Sequence, residues 1–174
     1  MRALRLPGGS IIMNKKRAYE LYQEFFGNPL GLKKHPRGKP FNRPLLLDVY
    51  ETLYLAEKGR IEVYKEGIRM TLEELKSSYS YDDRVYRVYK VLRDKGLIVR
   101  NGTRFGAHFL VYVKGPDVEH APYAVIVTGE ATGLDVVRVS RLIHTVRKDP
   151  LLAVVEENRI SFYKIRRFKR LKRY

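Results

Sequence analysis

Residues 104–125, RFGAHFLVYVKGPDVEHAPYAV, read as two apolar strands separated by one sharp break. The first strand covers 104–113, and Gly115-Pro116-Asp117 stops it, because a Gly-Pro pair punctuates a chain rather than extending it. The second strand covers 121–127. Upstream, the strand LIVR at 97–100 and the turn Asn101-Gly102 form a hairpin with 104–113, since Asn-Gly supplies the left-handed backbone that a tight turn needs. Before that, Asp82 or Asp83 caps a helix running to about Lys95, and Gly96 closes it. Downstream, a loop bearing Gly129 and Gly133 leads to a helix over 135–147 and to strands over 151–156 and 159–165. This order predicts an α/β (α+β) domain over 81–174 with a central mixed sheet.

Residues 1–80 read as a small mixed α/β domain of their own. Apolar spacing predicts a helix over 15–26, stopped by Gly27-Asn28-Pro29. A second helix is predicted from Pro44 to Lys58, with Pro in its first turn and Gly59 past its end. A hairpin over 60–64 and 68–70 turns at Lys65-Glu66-Gly67, and Thr71 with Glu74 forms a capping box opening a short helix. Between the first two helices lies a polar loop over 31–43, GLKKHPRGKPFNR, carrying Lys33, Lys34, Arg37, Lys39 and Arg43 and no acid. It is either a solvated surface loop or an arm that grips RNA phosphates, each cation adding affinity through counterion release.

Composition narrows the function classes. A chain of 174 residues, 44% hydrophobic, can bury one good core or two small ones. It has no Cys, which removes disulfide, thiolate and zinc-thiolate chemistry and is consistent with a reducing, cytoplasmic setting. Four His without metal-ligand spacing predict no metal site, and no cofactor motif is present. No apolar run approaches the roughly 18 residues of a membrane span, so a soluble protein with no membrane partner is expected. A net charge of +16 opposes folding by self-repulsion unless an anion screens it, and nucleic acid is the leading partner. Thirteen Tyr and seven Phe offer stacking surface, though most must serve the core.

Three residues stand at element ends in the second half. Tyr112 lies near the end of one strand, His120 opens the next, and Lys148 follows the helix within 138-RVSRLIHTVRKDPLLAVV-155. Taken singly each is ordinary: a strand Tyr packs, a loop His is exposed, and a Lys behind a helix complements its dipole. Their surroundings, however, form a pattern. Gly106 within 105-FGAHFLVY-112, then His120-Ala121-Pro122-Tyr123, then Thr145-Val146-Arg147-Lys148 before Leu151-Leu152, together resemble the catalytic half of the archaeal tRNA-splicing endonuclease family. The resemblance covers about 71–168 and is strongest over 104–155. Pro122 and Asp149-Pro150 depart from the pattern.

The resemblance implies a nuclease-like C-terminal domain that cleaves precursor tRNA at intron–exon junctions in a bulge-helix-bulge motif. Metal-free RNA cleavage needs a base for the 2′-hydroxyl, an acid for the departing 5′-oxygen and a cation facing the phosphorane. The family assigns these to Tyr, His and Lys, here Tyr112, His120 and Lys148, giving a 2′,3′-cyclic phosphate and a 5′-hydroxyl. A His titrates near neutrality and suits the acid role. A Tyr, with an ordinary pKa of about 10, needs nearby cations to act as base. His108 and His144 compete for the acid role; His108 lies roughly 13 Å from Tyr112 along the strand, too far to share one phosphate readily.

Further expectations come with the resemblance. Arg141 corresponds to a family arginine that stacks on a bulged base, and its partner falls at Arg166 or Arg167. The tail 164–174 holds seven basic residues in eleven. Family enzymes assemble from four units, so this chain is expected in a homotetramer or in a heterotetramer with a non-catalytic paralogue. The acidic turn Glu156-Glu157 is expected to enter a basic cleft of another subunit, and the final strand to pair edge to edge with its copy. The alternative from another class is a non-catalytic RNA-binding or scaffold subunit using the same basic surface.

Overall fold

The computed structural model describes residues 1–32, 38–121, 123–130, 137 and 149–165. They fall into two units, Met1–Tyr81 and Asp82–Tyr174, and each contains one mixed sheet with helices. No helix among the described residues is long and apolar enough to cross a membrane.

In the first unit, β1 (Arg2–Leu6), β2 (Gly9–Ile12), α1 (Lys15–Gln23), β3 (Asn28–Pro29), β4 (Leu45–Asp48), α2 (Val49–Glu57), β5 (Glu62–Lys65), β6 (Ile68–Arg69) and α3 (Leu72–Ser77) follow in order. The sheet runs β3-β4-β2-β1-β5-β6; only β1 and β5 are parallel. Ala3, Ile12, Leu21, Leu45, Leu53 and Leu55 are fully buried and form the centre of its core. The C-terminal end of the unit is stitched to β1 and β2. Arg5 donates to the Ser78 carbonyl, and the Tyr79 hydroxyl donates to the Gly9 carbonyl. Burial pushes the Tyr79 hydroxyl up to about 12, so it stays protonated and keeps donating.

One element of this unit differs from its expectation and one had none. The helix expected over 44–58 is instead a strand, β4, followed by a helix that starts at Val49. The reason is a capping box inside the apolar run. Asp48 accepts the Glu51 N–H at 2.9 Å, while the Glu51 carboxylate accepts the N–H groups of Asp48 at 3.1 Å and Gly27 at 2.9 Å. Leu45, Leu46 and Leu47 therefore pair with β2 rather than coil. The β1–β2 hairpin, turning at Pro7-Gly8, was not expected from the sequence at all.

The basic loop 31–43 proves to be the connection between the paired strands β3 and β4. Its base is closed by the Leu30 N–H donating to the Pro44 carbonyl at 2.9 Å. Phe41 meets the rings of Tyr19 and Tyr22 edge-on, at 5.7 and 5.3 Å, and Gly38 donates to Gln23 on α1. Lys39 is exposed, whereas Lys33 and Lys34 lie outside the described residues.

In the second unit, α4 (Asp83–Asp94) is followed by β7 (Ile98–Asn101), β8 (Phe109–Tyr112), β9 (Tyr123–Thr128), β10 (Asp149–Val155) and β11 (Ile160–Lys164). The order across the sheet is β11-β10-β9-β8-β7, with β9 and β10 parallel and the other pairs antiparallel. Asp82 caps α4 through the Arg84 N–H, and its hydrogen bond to the Arg84 guanidinium holds the carboxyl below its usual range. Val85, Tyr86, Val88, Tyr89 and Leu92 bury one face of α4, and Tyr89 meets Phe109 of β8 at 5.6 Å between ring centres. Alternation along β8 sends Leu110 and Tyr112 to the opposite face. There Leu110 joins Ala107, Ala121, Ala124, Ile126 and Leu152 in a second cluster, with Tyr112, Val154 and Ile165 packed against it.

The strand expected over 104–113 is shorter than read. Residues Thr103–Phe105 form a 3-10 turn, Gly106 adopts a left-handed φ of 75°, and β8 begins only at Phe109. The Asn101 side chain accepts the Thr103 N–H at 2.9 Å, and the Gly102 N–H donates to the His108 carbonyl at 3.0 Å. Asn101-Gly102 thus opens a longer connection instead of closing a two-residue turn. The helix expected over 135–147 lies outside the described residues, apart from Val137, which is helical.

Candidate active site

Tyr112 is the last residue of β8, paired with Ile98 at the start of β7. One step earlier, Val111 pairs with Tyr123, the first residue of β9, and Tyr123 in turn pairs with Asp149, the first residue of β10. Because β8 runs against β9 while β9 and β10 run together, the end of β8 and the beginnings of β9 and β10 meet at one sheet end. His120 stands three residues before β9, and Lys148 directly precedes Asp149 in the chain. The topology therefore gathers segments that are far apart in sequence.

Tyr112 is half-buried against the second cluster, so its ring is held by packing. His120 is exposed, and its neighbour Ala121 is buried in the same cluster, fixing the backbone immediately after the imidazole. On β11, Lys164 forms an ion pair with Asp149, and its ammonium lies 6.0 Å from the centre of the Tyr123 ring. That contact fastens the first residues of β9, β10 and the last of β11 together. Lys148, Arg141, His144, Arg166 and Arg167 lie outside the described residues.

His108 has a structural job. β8 does not extend far enough to cover Val127, and the Val127 N–H donates instead to His108 Nδ1 at 3.0 Å. The His108 backbone N–H meanwhile donates to Val125 at 2.9 Å. The imidazole thus replaces a missing ladder acceptor. His108→Ala is expected to lower stability by about 1–3 kcal/mol, the cost of an orphaned backbone donor, without slowing catalysis in the folded fraction. Thermal melting and a single-turnover rate below the melting range check this together.

Between Tyr112 and His120 the chain makes a self-contained turn. The N–H groups of Val118 and Glu119 both donate to the Gly115 carbonyl, at 3.1 and 3.0 Å, and Gly115 adopts a φ of 115° that only glycine takes without strain. Among the described residues no group of three or more His, Cys, Asp or Glu side chains comes together.

At the far end of the sheet lies the acidic turn between β10 and β11. Glu156 and Glu157 are exposed; Glu156 accepts from Arg159 Nε at 2.8 Å, and the Glu157 carbonyl accepts from Arg87 at 2.9 Å. Phe162 and Tyr163 are exposed on the edge strand β11.

The end of β8, with Tyr112, and the starts of β9 and β10 thus share one end of a mixed sheet in a strongly basic chain. Comparison with known families supplies the class. Residues 83–162 match the tRNA intron endonuclease catalytic C-terminal domain, and residues 3–76 match the tRNA intron endonuclease N-terminal domain. The chain belongs to the tRNA intron endonuclease family, which makes it an endonuclease whose substrate class is tRNA. It is 41% identical over 163 residues to a tRNA-splicing endonuclease of Hyperthermus butylicus, covering 88% of this chain and 90% of that one. It is 42% identical over 156 residues to a tRNA-splicing endonuclease of Pyrobaculum aerophilum, covering 83% and 85%. A tRNA-splicing endonuclease of Saccharolobus islandicus is 38% identical over 168 residues, covering 90% and 91%.

Proposed function

We propose that this chain is the catalytic subunit of a metal-independent tRNA-splicing endonuclease that cuts precursor tRNA in a bulge-helix-bulge motif. Tyr112 takes the proton of the 2′-hydroxyl, His120 protonates the departing 5′-oxygen, and Lys148 faces the charge that builds on the phosphorane. The attacking 2′-oxygen closes onto phosphorus as the bond to the 5′-oxygen breaks. A 2′,3′-cyclic phosphate and a 5′-hydroxyl result. The observation that supports this reading most is the single sheet end at which β8 finishes and β9 and β10 begin. A half-buried tyrosine and a solvent-facing histidine there suit a substrate that arrives from outside.

Arg141 with Arg166 or Arg167 clamps a splayed base by guanidinium stacking, and Lys33, Lys34 and Lys39 of the β3–β4 connection hold phosphates. The working enzyme is cytoplasmic and has four units, either identical or paired with a non-catalytic paralogue. The exposed edge of β11 suits pairing with another copy, and the Glu156-Glu157 turn suits a basic cleft. Reversing both charges, Glu156→Lys with Glu157→Lys, is expected to shift the assembly to a smaller species in light scattering while the fold persists.

The decisive experiment incubates the protein, alone and with its paralogue, with a bulge-helix-bulge precursor in excess EDTA. Cleavage leaving cyclic-phosphate and 5′-hydroxyl ends is expected. Cleavage that EDTA abolishes would refute the metal-independent mechanism, and binding without cleavage under every pairing would favour the scaffold role.

A further inference from the structure

Glu119 is the residue before His120, and it is used neither for an ion pair nor as a ligand in the arrangement above. Its carboxylate Oε1 accepts two backbone N–H groups at once, from Val113 and Lys114, each at 2.6 Å. These are the first two residues after Tyr112. The side chain that adjoins one end of the turn is therefore bonded to the backbone that adjoins the other. Together with the two bonds onto the Gly115 carbonyl, this closes 113–119 into a ring whose two exits are Tyr112 and His120.

We propose that Glu119 is a positioning residue for cleavage, a carboxylate clamp that sets the separation between the Tyr112 hydroxyl and the His120 imidazole. The inference rests on the proposed catalytic roles of those two side chains. Base and acid must face opposite sides of one phosphorus, and a misplacement of about 1 Å can cost a hundredfold in rate. Tyr112 is already fixed by packing, whereas His120 is exposed, and among the described residues its imidazole shows no hydrogen-bond partner. A clamp on the preceding residue supplies a hold.

The N–H donors, Lys114 first and then Val113 and Gly115, keep the Glu119 carboxyl below its usual range. A group with a lowered folded value is charged above it, so the clamp is closed throughout the neutral range. It opens only as acid takes the pH down through that lowered value. Val113 and Lys114 are themselves exposed, so water replaces the carboxylate when it is lost, and the fold is little affected.

The test compares Glu119→Ala and Glu119→Gln with wild type and His120→Ala, all as the assembled full-length enzyme on precursor tRNA. Glu119→Ala is expected to lower kcat about ten- to a hundredfold with KM and thermal midpoint unchanged, since only transition-state geometry is lost. Glu119→Gln retains an acceptor oxygen and should recover activity to within about threefold of wild type. In nuclear magnetic resonance spectra, the Val113 and Lys114 amide protons of wild type should move together as Glu119 titrates, and those of Glu119→Ala should not. Wild-type kcat in Glu119→Ala beside an inactive His120→Ala would overturn the clamp and leave the catalytic reading standing. Equal losses in the Ala and Gln variants would overturn it as well. Full activity in His120→Ala would remove the site itself, and the positioning role with it.

Discussion

His120→Ala is expected to cut the single-turnover cleavage rate of precursor tRNA at least about a hundredfold, the usual loss when a general acid is removed. The side chain is exposed and ends no packed contact of the core, so the thermal midpoint should stay where it is. Substrate affinity should also hold, because the charge that grips RNA resides in many Lys and Arg side chains rather than in one imidazole. Loss of rate with retained binding is the signature of a group used in the transition state alone. Tyr112→Phe provides the matching measurement. It keeps the ring packed against the second cluster and deletes only the hydroxyl, so a fall in rate without a fall in stability points to the oxygen. If His120→Ala cleaves as fast as wild type, the proton reaching the leaving oxygen comes from elsewhere.

The largest stability effect is expected at Gly9. A methyl group built there would lie 2.0 Å from the Leu47 carbonyl oxygen, and the backbone φ of +142° already disfavours any other residue. Leu47 and Asp48 belong to the strand that pairs with β2, so neither can withdraw without opening the sheet. The Gly9 carbonyl also receives the Tyr79 hydroxyl, whose donor would be stranded by a backbone shift. Gly9→Ala should cost about 2–5 kcal/mol, combining backbone strain with overpacking. Its neighbour provides the control. Nothing lies within 4 Å of a methyl group at Gly8, and Gly8→Ala should change stability by less than about 0.5 kcal/mol. Urea titration of the two variants side by side separates them; equal midpoints would mean that the Gly9 crowding is relieved elsewhere.

Much of the second unit was legible because its signals are local. Asp82 before Val85, Tyr86 and Val88 announces both a cap and a buried stripe, and in the first unit Thr71 with Glu74 announces the box that opens α3. Where local signals compete, periodicity alone misled. Leu45-Leu46-Leu47 is an apolar run that suits a strand or a helix equally, and the deciding cue was the Asp48…Glu51 spacing inside it. Pro7-Gly8 between two short apolar stretches was a readable turn, but strands of four or five residues give little alternation to count.

At the proposed site, the order Tyr112, His120, Lys148 was readable as a pattern, while the reason the ends of β8, β9 and β10 meet was not. That reason is the pairing of Tyr123 with both Val111 and Asp149, a long-range register that leaves no mark in any short window. His108 shows the same limit. Its place on the Tyr112 side of β8 follows from alternation, yet its bond to Val127 exists only because β8 stops short of that residue. Glu119 was likewise invisible beforehand, since an acid in a polar turn looks solvated until the turn closes on it.

The basic connection between β3 and β4 is closed at its base. Its two ends are fastened by strand pairing and by Leu30 to Pro44, while Gly38 and Phe41 tie its second half to α1. Lengthening such a closed connection costs the fold only about 0.6 kcal/mol for each doubling. Reach and stability can therefore be tuned separately: natural insertions or a designer's added lysines change how far the unit extends toward a polyanion, and the sheet beneath does not register the edit.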